Sequence, residues 1–163
     1  MSSSSSRQQV ASYLGGLAVF LRNLGVGVPE FVLDRYDTGE IGFQIEGTLP
    51  GRQDPKPAIV LATEIWRPAA SGRYERVEYG YELIDYPAGR RRAFHMHHTD
   101  DFLARFSVLV HEHCEEVLGR PRCGHYYGLP AQNGYEAFNA LLGHWGQAEP
   151  LGCGQLRCID QGL

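Results

Sequence analysis

The feature that most constrains the fold of this chain is a series of strand-like segments between residues 31 and 98. Apolar and polar residues alternate in Ile41–Glu46 and in Arg73–Tyr86, and a period of two is typical of half-buried strands. The continuous apolar run Ala58–Trp66 favours a central strand. Short turns such as Asp37–Gly39 and Pro87–Gly89 separate the segments, and short turns join antiparallel neighbours. The sequence therefore predicts a mostly antiparallel sheet of about four or five strands.

Helical patterns flank these segments on both sides. From Arg7 onward, apolar residues recur at the spacing of one helical face, and glycines before Pro29 end this first helix. Thr99 is a good N-cap for a second helix, which ends at Gly119, and Tyr135–Trp145 has the pattern of a third. This order of elements predicts an α+β fold with helices packed on one face of the sheet.

The length of the chain sets its domain organisation. Ser2–Ser6 is a run of serines, so we expect residues 1–6 to form a disordered tail. Residues 7–163 are numerous enough to form a single domain with its own core. The formal net charge of −4 argues against a protein that coats nucleic acid through bulk electrostatics.

The start of the chain and its cysteines bear on the cellular compartment. Met1 is followed by serines and Arg7, without the apolar stretch of a secretory signal. No apolar run is long enough to cross a bilayer. We therefore expect a cytoplasmic protein with no membrane contact, whose cysteines are reduced and serve as packing residues or metal ligands.

Five of the seven histidines lie in Tyr79–Cys114, which makes this segment the candidate functional site. In a strand, residues two apart share a face, so His95 and His97 point the same way. Two neighbouring imidazoles can bind a metal ion, or act as general acid and general base on a phosphodiester. The alternative is a solvent-facing strand end that happens to be rich in histidine.

Basic residues next to these histidines extend the catalytic hypothesis. Alternation places Arg91 on the face of His95 and His97, whereas Arg92 and His98 take the other face. We expect Arg91 or Arg92 to hold the phosphate while the imidazoles move protons, with His98 in support, which is the logic of a metal-free ribonuclease. The more ordinary interpretation of such an arginine run is a solvated hairpin edge.

A second candidate site is a zinc site formed by His111, Cys114, Cys123 and His125. On the predicted second helix, His111 faces with Cys114, while Cys123 and His125 lie on the following loop. The same helix places His113 about 200° away from His111, so these two residues are not expected to bind one ion. With this site the protein would bind zinc without catalysis, and a plain protein-interaction module is a further alternative.

The run YELIDYPAGRRRAFHMHHTDDF, from Tyr81 to Phe102, resembles the hairpin and histidine segment of TumE-like toxins of bacterial toxin–antitoxin pairs. The likeness covers a tyrosine-rich strand, a turn, a returning strand and a histidine cluster. The residues that carry it are Tyr81, Arg92, His95, His97 and His98. The resemblance implies a small α+β ribonuclease that acts on RNA and is held in check by a cognate inhibitor protein.

Overall fold

The computed structural model describes residues 3–27, 30–51, 53–97, 104, 110–120, 123–127 and 133–143. These residues form two helices of at least eight residues and one antiparallel sheet of seven strands in chain order. The elements are α1 (Ser3–Asn23), β1 (Glu30–Arg35), β2 (Ile41–Thr48), β3 (Ile59–Pro68), β4 (Tyr74–Asp85), β5 (Arg90–Met96), β6 (Val110–Glu115), β7 (Cys123–Tyr127) and α2 (Gly134–Gly143). The expected α+β architecture with an antiparallel sheet is confirmed.

Tight turns join β1 to β2 and β4 to β5. Between β1 and β2, the backbone N–H of Tyr36 donates to the carbonyl of Glu40 at 3.1 Å, and Gly39 has a φ of 84°. Between β4 and β5, Gly89 has a φ of 65°. Both values lie in the left-handed region that glycine adopts without a steric penalty. These two hairpins therefore follow from local turn chemistry, as the sequence predicts.

One face of the sheet, which we call the core face, forms the hydrophobic core. The register places Phe43 opposite Glu64 and Ala62 opposite Tyr81, so these four residues share that face. Both helices pack on it. The largest fully buried apolar side chains of the core are Leu17, Leu21, Ile45, Val60, Tyr79, Tyr81, Phe138 and Leu141.

A buried polar network on the core face joins the two helices to the sheet. The Tyr13 hydroxyl of α1 donates to Oε1 of Glu64 at 2.7 Å and accepts the Gly134 N–H of α2 at 2.9 Å. The Trp66 Nε1–H donates to Oε2 of Glu64 at 2.7 Å, and the Tyr81 hydroxyl also donates to this carboxyl group. A buried carboxyl group needs such partners because its desolvation is otherwise costly.

The sheet is larger than the sequence predicts. Val110–Glu115 forms β6 where the second helix was expected, so that prediction is wrong for these residues. The segment pairs with β5 from Arg91 to Met96, and this pairing overrides local helix preference. Cys123–Tyr127 forms β7, where a loop was expected, because it pairs with β6. Thr99 and its predicted cap lie outside the described residues.

The helical predictions at the two ends hold, with different boundaries. The helix α1 begins at Ser3, so Ser3–Ser6 is helical rather than part of a disordered tail. Serine is a moderate helix former, and the run contains no glycine or proline that would end the helix. The helix α2 covers Gly134–Gly143 of the predicted Tyr135–Trp145. Neither described helix combines the length and the apolar character that a membrane crossing requires.

Candidate metal centre

Two neighbouring strands bring four imidazoles together on the face of the sheet opposite the core face. His95 of β5 is the direct cross-strand partner of His111 of β6, and their ring centroids are 5.3 Å apart. Alternation adds His97, which directly follows β5, and His113 on β6 to the same face. Their rings lie 5.5 Å from His95 and 4.8 Å from His111, respectively. We call these four residues the imidazole cluster and their side of the sheet the histidine face.

Two of the four imidazoles are shielded from solvent, whereas His97 and His113 are partly exposed. His111 is 0% exposed and His95 is 9% exposed, which is unusual for two adjacent groups that gain charge on protonation. One ring nitrogen from each of His95, His97 and His111 lies within 4.8 Å of the other two. Nitrogens that share a tetrahedral zinc ion are about 3.3 Å apart, since zinc–nitrogen bonds are about 2.0–2.1 Å long. Shifts of about 1 Å in the side chains would therefore close these rings around one ion.

The expectation that His111 and His113 lie on different sides of their element is wrong. It assumed a helix, whereas in a strand residues two apart share a face. The Nε2 atoms of the two rings are 3.0 Å apart, which is hydrogen-bonding distance. One ring must donate and the other accept, so the two imidazoles hold complementary tautomers.

Carboxylates of β4 contact two of the imidazoles. Oε1 of Glu82 lies 3.2 Å from Nε2 of His95, and Oε1 of Glu78 lies 3.5 Å from Nδ1 of His97. Burial favours a higher pKa for Glu82, but hydrogen bonds from His95 and Arg91 together with the Arg91 charge outweigh it and lower the pKa to about 2. Glu82 therefore remains a carboxylate beside the cluster at neutral pH.

Arg91 lies on the histidine face, as alternation predicts, but its guanidinium group binds two carboxylates. Its Nε donates to Oε2 of Glu82 at 2.8 Å, and its Nη1 donates to Oε1 of Glu115 at 2.9 Å. Glu115 in turn accepts the backbone N–H of Gly119 at 2.7 Å. A phosphate group would have to compete with both carboxylates for Arg91.

Arg92 points to the opposite side of the sheet. Its Nη2 contacts Oε2 of Glu112 at 3.4 Å, and its guanidinium carbon lies 5.6 Å from the ring centroid of Phe94. Arg92 and the imidazole cluster thus lie on opposite faces of the sheet, as the alternation also predicts.

The structure does not assemble the predicted zinc site around Cys114. Cys114 is disulfide-bonded, so its sulfur is not the thiolate that binds zinc or the reduced thiol expected from the sequence. In a strand it also faces away from His111, whereas the helix prediction had placed them together. The backbone partner of Cys114 in β7 is Cys123. The side chains of Cys123 and His125, and the whole of His98, lie outside the described residues.

Two tyrosines of β4, Tyr79 and Tyr81, belong to the hydrophobic core. Tyr79 is 1% exposed and Tyr81 is 0% exposed, and their rings stack with centroids 5.0 Å apart. They pack under the helices, so neither ring can stack on a nucleobase from solvent.

The fold and the site define this chain as an α+β protein with the imidazole cluster on the histidine face of an antiparallel sheet. Comparison with family models, with curated proteins and with solved structures finds no match for it. The functional assignment therefore depends on the chemistry of the residues themselves.

Sequence reasoning identified His95, His97 and His111 but missed His113, Glu82 and Glu78 as their neighbours. The signal for a strand was weak, because Glu112 interrupts the alternation of Val110 and Cys114 with His111 and His113. Only a strand assignment of this segment places His111 and His113 on one face.

Proposed function

We propose that this protein binds a divalent transition-metal ion through His95, His97 and His111 and cleaves phosphodiester bonds of RNA at that site. The observation that carries the proposal is the proximity of three ring nitrogens, one from each residue, all within 4.8 Å of one another. Imidazole nitrogen is a preferred ligand of zinc, and three protein ligands leave a position for water or substrate. Zinc is therefore the ion that best matches the cluster.

The number of converging imidazoles favours metal binding over a metal-free acid–base pair. Three ring nitrogens lie close together, whereas an acid–base mechanism needs only two imidazoles. The metal-free mechanism also needs a cation for the phosphate, but Arg91 already binds Glu82 and Glu115.

The chain's own groups have defined tasks in this proposal. A bound zinc ion supplies a Lewis acid and an activated water for attack on phosphorus. Glu82 holds His95 by the contact at 3.2 Å, and Arg91 holds Glu82. Among the described residues, His113 is a further imidazole in contact with the site, 3.0 Å from His111, and could exchange a proton with it.

RNA as the substrate is supported by the resemblance of the β4–β5 segment to TumE-like toxins. The same resemblance supports a cognate inhibitor protein as a partner. Zinc binding without catalysis is the second candidate function, and the buried, hydrogen-bonded surroundings of the cluster favour it, because they would also suit an ion that only fastens β5 to β6.

The test measures metal binding and RNA cleavage with the same purified full-length chain. The protein is stripped with a chelator, titrated with Zn²⁺ in a calorimeter, and assayed on RNA before and after metal addition. We expect one Zn²⁺ per chain and cleavage only with metal. His97→Ala should abolish both, whereas Arg92→Gln, on the same strand but the opposite face, should preserve both.

Each result separates the alternatives. Zinc binding without cleavage of any RNA supports the non-catalytic role and overturns the enzymatic one. Cleavage by the stripped protein that is lost in His97→Ala supports the metal-free acid–base mechanism. Absence of both activities in the wild-type chain contradicts the proposal as a whole.

A further inference from the structure

The contacts of His95 and Glu82 define which nitrogen of the ring faces the cluster. A Cβ atom placed on Gly80 would lie 3.5 Å from Cδ2 and 3.6 Å from Nε2 of His95, so this edge of the ring faces β4. In the five-membered ring Nδ1 lies opposite the Cδ2–Nε2 bond, so it is directed away from β4. The neighbouring strand on the other side of β5 is β6, where His111 is the direct cross-strand partner of His95. The orientation is possible because Gly80 has no side chain on the histidine face.

Glu82 fixes this orientation from β4. Its Oε1 contacts Nε2 of His95 at 3.2 Å, so a carboxylate occupies the side of the ring that faces away from His111. When the Nε2–H group donates a hydrogen bond to this carboxylate, the ring is neutral and its free lone pair is on Nδ1.

Glu82 is itself held in place by a second contact. Its Oε2 accepts a hydrogen bond from Nε of Arg91, so the order of contacts is Arg91, Glu82 and His95. Metal-binding histidines commonly donate their second ring nitrogen to such a carboxylate, which orients the ring and raises its basicity. The contact between His111 and His113 offers the same kind of support to the second ring.

We propose that Glu82 is a positioning residue that makes His95 bind the metal ion through Nδ1. The inference rests on the proposed metal site and adds the donor atom and the residue that selects it. It does not depend on whether the bound metal cleaves RNA.

The first test compares zinc affinity in two variants of the full-length chain. Glu82→Gln removes the charge that contacts both His95 and Arg91. Glu115→Gln removes a charge that contacts the same arginine but none of the four imidazoles among its described contacts, and it is the matched control. We expect Glu82→Gln to weaken Zn²⁺ binding by about 10–100-fold and Glu115→Gln to remain within about twofold of wild type.

The second test identifies which ring nitrogen of His95 binds the metal ion. In wild-type protein labelled with ¹⁵N-histidine, the Nδ1 resonance of His95 should shift on addition of Zn²⁺ while Nε2 keeps its proton. If Glu82 had only a structural role, it would not determine which nitrogen of His95 binds Zn²⁺. This measurement also serves if Glu82→Gln fails to fold, because it uses only the wild-type chain.

The outcomes distinguish the two proposals. Wild-type protein that binds no Zn²⁺ overturns the metal site and the inference with it. Wild-type protein that binds Zn²⁺ through Nε2 of His95, or equal affinities for Glu82→Gln and Glu115→Gln, overturns the inference alone and leaves the metal site standing.

Discussion

At the level of single residues, Glu64 and Glu82 show how position changes the proton affinity of one side-chain type. Burial is the largest influence on Glu64 and raises its pKa, although hydrogen bonds from Tyr81, Tyr13 and Trp66 and the charge of Arg76 act against it. Glu82 is less buried, and its hydrogen bonds with His95 and Arg91 outweigh desolvation, so its pKa falls. The two carboxyl groups therefore make opposite contributions to the pH dependence of stability.

The sign for Glu64 follows from its raised pKa. The folded protein binds the proton more tightly than the unfolded chain, so this stabilisation is fully present below the ordinary glutamate value and is lost as pH rises through the folded pKa. We predict that Glu64→Gln removes this component. The free energy of unfolding of wild type should fall relative to that of the variant as pH rises above about 4.5.

Urea unfolding of chelator-treated protein at several pH values measures this difference. Glu75→Gln is the control, because Glu75 is exposed on β4. Parallel pH profiles for wild type and Glu64→Gln would contradict the prediction, and so would an equal change in the control.

At the level of elements, the adjacent glycines of α1 give a matched pair. A Cβ atom at Gly15 would meet no atom within 4 Å, whereas one at Gly16 would lie 2.4 Å from the hydroxyl oxygen of Tyr135 on α2. Gly16 therefore lies where α1 and α2 approach each other closely.

We predict opposite effects of alanine at the two positions. Gly15→Ala should stabilise the protein by about 0.5–1 kcal/mol, since alanine costs less backbone entropy in a helix. Gly16→Ala gains the same propensity but must displace Tyr135, so it should be less stable than Gly15→Ala by about 1 kcal/mol or more. Chemical unfolding of both variants measures the difference, and equal stabilities would show that Tyr135 moves aside without cost.

The elements also show how far sequence reasoning extends. Five strands were predictable because their signals are local, namely alternation within Arg73–Tyr86 and turns such as Pro87–Gly89. The strand β6 could not be predicted in the same way. It forms because it pairs with β5, and this pairing joins residues that are distant in the chain. For the same reason, part of the candidate site could be predicted from the sequence and part could not. His95 and His97 share a face through the period of a single strand, whereas Glu82 and His113 join them through register across strands.

At the level of the whole molecule, the proposed metal site spans the outer part of the sheet. The strands β4 and β5, with Glu82 and His95, pair across much of their length, and β6 adds His111 to β5. The core face beneath them packs against α1 and α2. An ion that binds β5 and β6 together therefore links two strands whose separation requires opening of the sheet, so binding should be coupled to global stability.

This coupling gives a prediction for the intact chain. At a free Zn²⁺ concentration of about 100 times the dissociation constant, the free energy of unfolding should rise by about 2.7 kcal/mol, because the folded state alone assembles the three imidazoles. Mg²⁺ at the same concentration should have little effect, since it prefers oxygen ligands. His97→Ala should lose the response while staying folded, because His97 is only partly buried and lies directly after the end of β5. Thermal unfolding with Zn²⁺, Mg²⁺ and chelator checks all three statements, and equal stabilisation of wild type and His97→Ala by Zn²⁺ would locate the ion elsewhere in the chain.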